Sequence, residues 1–340
     1  MYRSSIAVLF VLFSLVLTIG CSTHQPIDHG TGNILRVDPA INEIIPEDYK
    51  IEKLQGGFQF TEGPVWINKN GGFLLFSDIP ANTIYKWTPS GQTSTFLNPV
   101  FEGNYEEGRF VGSNGLLLDL DGNLVLCEHG GRRISSMPNP SGDTSRTTVV
   151  DKYNGKKLNS PNDAIFHSNG SLYFTDPPYG LAQQDDDPTK ELEFNGIFRL
   201  SSNGELVLLN RDQTRPNGIA LSPNEKTLYV ANSDPEKKLW MSYAVNEDGT
   251  LGNGSVFFDA SSSTADGLPD GLALDSQGNI YATGPGGVWV FTPAGKHLGT
   301  IQPEEIPANV TFGGNNGMTL YMTARTGLYR IHLKSKGLGL

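Results

Sequence analysis

The stretch Asn162-Asp163-Ala164-Ile165-Phe166-His167-Ser168-Asn169-Gly170-Ser171-Leu172-Tyr173-Phe174-Thr175 contains the unit that repeats along the chain. A polar head, Asn162, opens a short apolar run. Asn169-Gly170 supplies a tight reversal, since glycine provides the positive φ that hairpins require. A second apolar run then begins at Leu172. The same unit recurs behind the heads Glu62, Asn114, Asn217, Asp270 and Asn309. Their second strands begin at Leu74, Leu124, Leu228, Ile280 and Leu320, always 10 to 12 residues downstream. Third strands carry an aromatic or apolar pair, as in Ile84-Tyr85, Ile197-Phe198, Leu239-Trp240, Val288-Trp289 and Leu328-Tyr329. Fourth strands are visible at Thr147 to Val150, Leu206 to Leu209 and Val256 to Phe258.

Successive heads are 52, 48, 55, 53 and 39 residues apart. Such a period marks a repeat architecture, and four antiparallel strands per repeat make a β-propeller blade. The fold class is therefore all-β, a six-bladed β-propeller with four antiparallel strands per blade. The last repeat ends after its third strand, near Ile331 to Leu333. Tyr49 to Leu54 precedes the first head and alternates in polarity. It is predicted to complete the last blade, so that an N-terminal strand closes the ring and removes an exposed edge. The acidic stretch Gln183 to Glu193 reads as a surface insertion in blade three.

Composition supports this reading. The 340 residues include 40 glycines and 21 prolines, which suits many turns and no long helix. The net charge of −11 leaves no basic surplus for nucleic acid, so none is expected as a partner. The two cysteines, Cys21 and Cys127, make no disulfide framework, and no zinc-type Cys/His spacing occurs. Cys127 reads as a lone buried thiol.

The N-terminus reads as an address. Arg3 precedes the apolar run Ile6 to Ile19, which is too short for a comfortable membrane span of about 20 residues and fits a signal peptide. Gly20-Cys21 and a polar stretch follow, a pattern like a bacterial lipobox in which Cys21 is lipidated. Residues 1–20 are thus expected to be a signal peptide, 21–45 a lipidated tether, and 46–340 the propeller. The chain is expected to be exported to the bacterial cell envelope and to meet the membrane through its lipid alone.

First strands line a propeller's axis, so equivalent heads converge there. The converging set is one Glu, one Asp and several Asn, an oxygen-only set that suits a hard divalent cation. Taken singly, Asn-Gly and Asp-Gly are common turn formers. Turn chemistry does not account for a lone Glu before Gly63-Pro64.

Glu62-Gly63-Pro64-Val65-Trp66, Ser160-Pro161-Asn162-Asp163, Thr175-Asp176-Pro177-Pro178-Tyr179-Gly180, Arg215-Pro216-Asn217-Gly218 and Pro269-Asp270-Gly271 together resemble the SMP-30/gluconolactonase/luciferin-regenerating family. The resemblance runs from about Tyr49 to Ile331 and keeps the family's order of motifs. It implies a six-bladed propeller with one axial divalent cation, usually calcium, and hydrolysis of lactones. The implied cation ligands are Glu62, Asn162, Asn217 and Asp270, with Asp270 also at the position of the general base. Cys127-Glu128-His129-Gly130-Gly131-Arg132-Arg133 is similar to the gluconolactonase branch. Animal members carry an arginine at the position of Ser160 that touches the sugar lactone, and this difference leaves the sugar open.

Around this set, Asn114 is placed near the axis as a substrate contact. His129 is a candidate for substrate binding or proton transfer, alongside a structural hydrogen bond. Tyr179, on a stiff loop after two prolines, is placed in the pocket wall. Asp163 is kept outside the ligand shell and Trp66 in the core. Arg132 and Arg133 read as loop residues, and Asp176 as a turn or a substrate contact. Zinc, manganese or magnesium could replace calcium at such a site. The reading is a lactonase acting on a small-molecule sugar lactone such as glucono-1,5-lactone. Its alternatives are a non-catalytic metal- and sugar-binding propeller, or an esterase, lactonase or lyase with another substrate.

Overall fold

The structure, a computed structural model, describes residue 1 and residues 28–138 and 144–338. Residues 2–27, which hold most of the signal segment and Cys21, lie outside the described residues.

Six sheets are arranged as blades. Blade 3, built on the repeat quoted above, orders Ala164–Phe166, Leu172–Asp176, Gly196–Leu200 and Leu206–Asn210 from the axis outward. The other first strands are Thr61–Ile67, Ser113–Leu118, Pro216–Leu221, Leu272–Leu274 and Asn309–Gly313. Ile51–Gly56 pairs antiparallel with Gly327–His332 as the outer strand of blade 6, which closes the ring as expected. Only two short 3-10 helices, Pro39–Glu43 and Gln184–Asp186, interrupt the β structure among the described residues.

The sequence reading places residues 21–45 in a tether. Within that range, Gly32–Arg36 pairs with His297–Pro303 as a fifth strand on blade 5. Ile34, Ile41 and Ile45, all buried, pack into the cluster between blades 5 and 6. Residues 32–45 carry four buried isoleucines, Ile34, Ile41, Ile44 and Ile45, enough apolar surface to dock on an open edge, which is why the segment folds onto the ring.

The core lies between blades. Each pair of neighbouring blades shares one apolar cluster, for example Leu75, Ile84 and Leu126 between blades 1 and 2, and Trp66, Trp87 and Tyr321 between blades 6 and 1. Cys127 is a free, buried thiol between blades 2 and 3.

The axis is crowded, and this explains the glycines behind the heads. A Cβ on Gly63 would lie 1.9 Å from the Asn114 carbonyl oxygen. One on Gly218 would lie 2.2 Å from that of Asp270. Close approach of the next blade's backbone demands glycine at both positions, and at Gly63 a φ of 48° adds a conformational reason.

Candidate active site

Three first strands change register at the head: between Glu62 and Val65, Ser113 and Leu116, and Pro216 and Ile219. Such bulges re-aim one side chain. A second device fixes the backbone just before the head. Asp78, at the end of a second strand, accepts hydrogen bonds from the Gln59 and Phe60 amides at 2.9 and 3.1 Å. Asp176 accepts from Asn159 and Ser160 at 2.7 and 2.8 Å. Asn232 accepts from Arg215 at 2.9 Å. Burial pushes the Asp176 carboxyl up to about 7, against those two amides. Asp176 is thus a backbone clamp.

The result is a cavity of about 220 Å³ at the head end of the axis. Glu62, Asn114, Asn162, Asn217 and Asp270 all line it, with His129 and Tyr179. The seven residues expected to hold the cation or touch substrate, Glu62, Asn114, His129, Asn162, Tyr179, Asn217 and Asp270, are all in this wall, whereas Asp176 and the sixth head, Asn309, are not. Sequence reasoning missed Phe60, Ile79, Phe110, Gln184, Ser233 and Leu268. Apolar residues on connecting loops leave no periodic mark. Ser233 alone had a signal, a hydroxyl shifted by two positions from the one that Thr175 and Thr283 hold in their strands.

Individual geometries differ. The Glu62 carboxylate accepts from the Gly63 amide at 2.8 Å and from Asn309 Nδ2 at 3.0 Å. The sixth head therefore orients the first and does not face the cavity. Asn217 Nδ2 donates to Ser233 Oγ at 2.9 Å. The Tyr179 hydroxyl donates to the Ser233 carbonyl at 3.4 Å. Burial, helped by Asp270, holds that phenol well above its ordinary pKa. Ser160 Oγ donates to the Pro177 carbonyl at 2.6 Å and accepts from the Gly180 amide at 2.9 Å, so it pins the loop carrying Tyr179. Arg132 donates to the Leu158 and Thr189 carbonyls, and Arg133 pairs with Glu128 at 2.9 Å, so both are occupied away from the cavity. Asp163 lines a different chamber, and its carboxylate accepts from the Ala164 amide at 2.9 Å and the Ile219 amide at 3.4 Å.

Several polar atoms of the wall have no partner. They are Asn114 Oδ1, Asp270 Oδ1 and both ring nitrogens of His129. Leaving a buried polar atom unpaired costs about 1–3 kcal/mol, and several such atoms gathered in one cavity suit a bound ligand. Burial pushes the Glu62 carboxyl up to about 7, and the charge of Asp163 adds to this. Burial also raises Asp270 well above its ordinary range, reinforced by Glu62 and Asp163. Three acids crowd one axis with no cationic side chain in the wall. No group of three or more His, Cys, Asp and Glu side chains forms a metal cluster among the described residues. The donor set is instead two carboxylates and amide oxygens, which fits an oxygen-ligated divalent cation.

Residues 60–326 match the family described as SMP-30/Gluconolactonase/LRE-like region. The chain belongs to this family. Within the SMP-30/gluconolactonase/LRE-like group, it is 41% identical over 322 residues to a gluconolactonase of Zymomonas mobilis, covering 90% of this chain and 87% of the relative. The solved structure of a gluconolactonase from Xanthomonas campestris superposes with a TM-score of 0.77 at 29% identity, covering 91% of this chain and 97% of that one. A pentonolactonase of Haloferax volcanii is 26% identical over 272 residues, 78% of this chain and 81% of the relative.

Proposed function

We propose that this protein hydrolyses a sugar lactone of the glucono-1,5-lactone kind to its aldonic acid. In doing so it uses one divalent cation, calcium, held by Glu62, Asn162, Asn217 and Asp270. Its class, a lactone hydrolase and so a carboxylic ester hydrolase, follows from the relatives. The observation that carries the reading is the convergence of unpartnered Asp270 Oδ1 with the oxygen-only head set in one small cavity.

A bound calcium ion would supply Lewis-acid polarisation of the lactone carbonyl and charge stabilisation as the oxyanion forms. Because calcium acidifies water weakly, a separate base is needed. Asp270 Oδ1 is free to accept the proton of the attacking water. Asn309 and the Gly63 amide fix the Glu62 carboxylate in one orientation. Asn114 Oδ1 is free to accept from a substrate hydroxyl, and Tyr179 supplies an aromatic face. Phe60, Ile79 and Phe110 exclude water from the remaining wall.

The test is pH-stat hydrolysis of glucono-1,5-lactone by the stripped protein, before and after calcium is restored. Activity should return with calcium, and absence of turnover under both conditions contradicts the reading. Lipidation of Cys21 would hold the enzyme at the bacterial envelope. Cys21→Ser should then move it from the membrane to the soluble fraction, and unchanged fractionation contradicts the anchor.

A further inference from the structure

His129 follows the second strand of blade 2, Leu124–Glu128. Glu128 pairs with Ser113 on the first strand, so His129 and Asn114 occupy the same end of adjacent strands. The backbone around His129 is held on every side. Its amide donates to the Gly112 carbonyl at 3.1 Å, Gly130 donates to Val111 at 3.0 Å, and Arg132 donates back to His129 at 3.1 Å. A Cβ on Gly180 would lie 2.7 Å from His129 Cβ, so the Tyr179 loop packs directly against it. The side chain is fully buried and lines the cavity; the Phe110 backbone approaches the ring, but neither ring nitrogen makes a hydrogen bond of normal geometry.

A rigid scaffold thus presents an unsatisfied imidazole to a substrate pocket. Burial pushes its pKa down to about 4, and the poorly formed contact with the Phe110 backbone offsets this only in part. The ring is therefore neutral at physiological pH and offers one donor and one acceptor. A hydroxyl group has the same pair of capacities. Asn114 Oδ1, in the wall of the same cavity, is also unpartnered, while the Phe60, Ile79 and Phe110 side chains offer nothing to a hydroxyl.

We propose that His129 recognises a hydroxyl of the lactone ring and sets the enzyme's preference for hydroxylated lactones. This inference rests on the lactone-hydrolysis reading above. A site built to hydrogen-bond a hydroxyl discriminates strongly, because a ligand lacking it leaves the buried group unpaired.

The experiment measures kcat and KM for wild type and His129→Leu on glucono-1,5-lactone and on δ-valerolactone, an unsubstituted ring, with calcium present. Melting temperatures are recorded with and without calcium. The expected result is a loss of about 10–100-fold in kcat/KM on glucono-1,5-lactone, mostly through KM, as for a lost hydrogen bond to a buried group. Turnover of δ-valerolactone should stay within about threefold, and the calcium-induced rise in melting temperature should be unchanged. Equal losses on both lactones would show a proton-transfer or structural role and overturn the proposal, as would no loss on either. If His129→Leu does not fold, His129→Gln serves, since it keeps a donor and an acceptor. Its smaller loss should still be confined to glucono-1,5-lactone, and a loss shared by both lactones would overturn the proposal. Wild-type protein inactive on both lactones would overturn the lactone reading itself, and this inference with it. An active wild type with a non-selective variant would overturn the inference alone.

Discussion

The axis of this propeller has two chambers, and the larger one is not the candidate site. The chamber away from the heads has a volume of about 390 Å³ against about 220 Å³ for the pocket. It is walled by Leu116, Leu118, Ile165, Leu221, Leu274 and Phe312. Apart from the Trp66 indole nitrogen, which is buried without a partner, its polar side chains are satisfied. Asp163 accepts two backbone amides, Asn309 bonds to Glu62 and the Val310 amide, and Thr311 donates to the Phe312 carbonyl. In the smaller pocket, Asn114, His129 and Asp270 keep buried atoms unpaired. Volume alone does not mark a site, whereas unpaired carboxylate, amide and imidazole atoms gathered in one pocket suit a polar ligand.

The comparison is broken most severely at Asp270. Asp270→Asn should lower kcat on glucono-1,5-lactone by about 10²–10⁴-fold, the usual worth of a positioned base, with the fold intact by circular dichroism. Activity within threefold of wild type would move the chemistry away from the heads.

The opposite result is expected in the larger chamber. Phe312→Ala removes a buried ring that packs edge-on against Tyr281 at 5.0 Å. It should cost about 3–5 kcal/mol of stability, read from urea denaturation, while kcat at 25 °C stays within about twofold. A selective loss of activity without a loss of stability would give that chamber a functional role.

A third, smaller test uses a polar group that is fully partnered. Glu305 accepts from Lys53 Nζ at 2.8 Å, from the Thr326 amide and hydroxyl at 2.8 and 2.7 Å, and from the Tyr329 hydroxyl at 2.7 Å. It ties the closing strand to blade 6. Burial would raise its pKa, but Lys53, Thr326 and Tyr329 outweigh burial and hold it at about 2. A depressed acid stabilises the fold above its unfolded pKa, and the gain is lost as pH falls from 4.5 towards 2. The pair is partly exposed, so solvent screening leaves about 1 kcal/mol. Glu305→Gln should flatten the acid limb of the stability curve in that window and leave catalysis unchanged. An unaltered limb would remove Glu305 from the closure.

Much of this was legible in the sequence because repetition makes equivalent positions visible. The heads Glu62, Asn114, Asn162, Asn217 and Asp270 meet in one cavity, and the alternating segment near Ile51 closes the ring. Asn309 looked equivalent, yet its amide is spent on Glu62, because sequence shows position but not orientation. Gly63 and Gly218 read equally well as turn formers, since a close approach across blades has no local signature. Phe60, Ile79, Phe110 and Leu268 could not be chosen from the many apolar residues of the chain. The strand Gly32–Arg36 was hidden because it stands outside the repeat and folds by docking on blade 5.

The most direct measurement of the central claim is lactone hydrolysis followed against calcium occupancy, by calorimetric titration of stripped protein with parallel pH-stat rates. The account expects one ion per chain, activity rising in proportion to occupancy, and both lost in a Glu62→Gln, Asp270→Asn double variant. Full activity at zero occupancy, or calcium binding untouched by that variant, would contradict it.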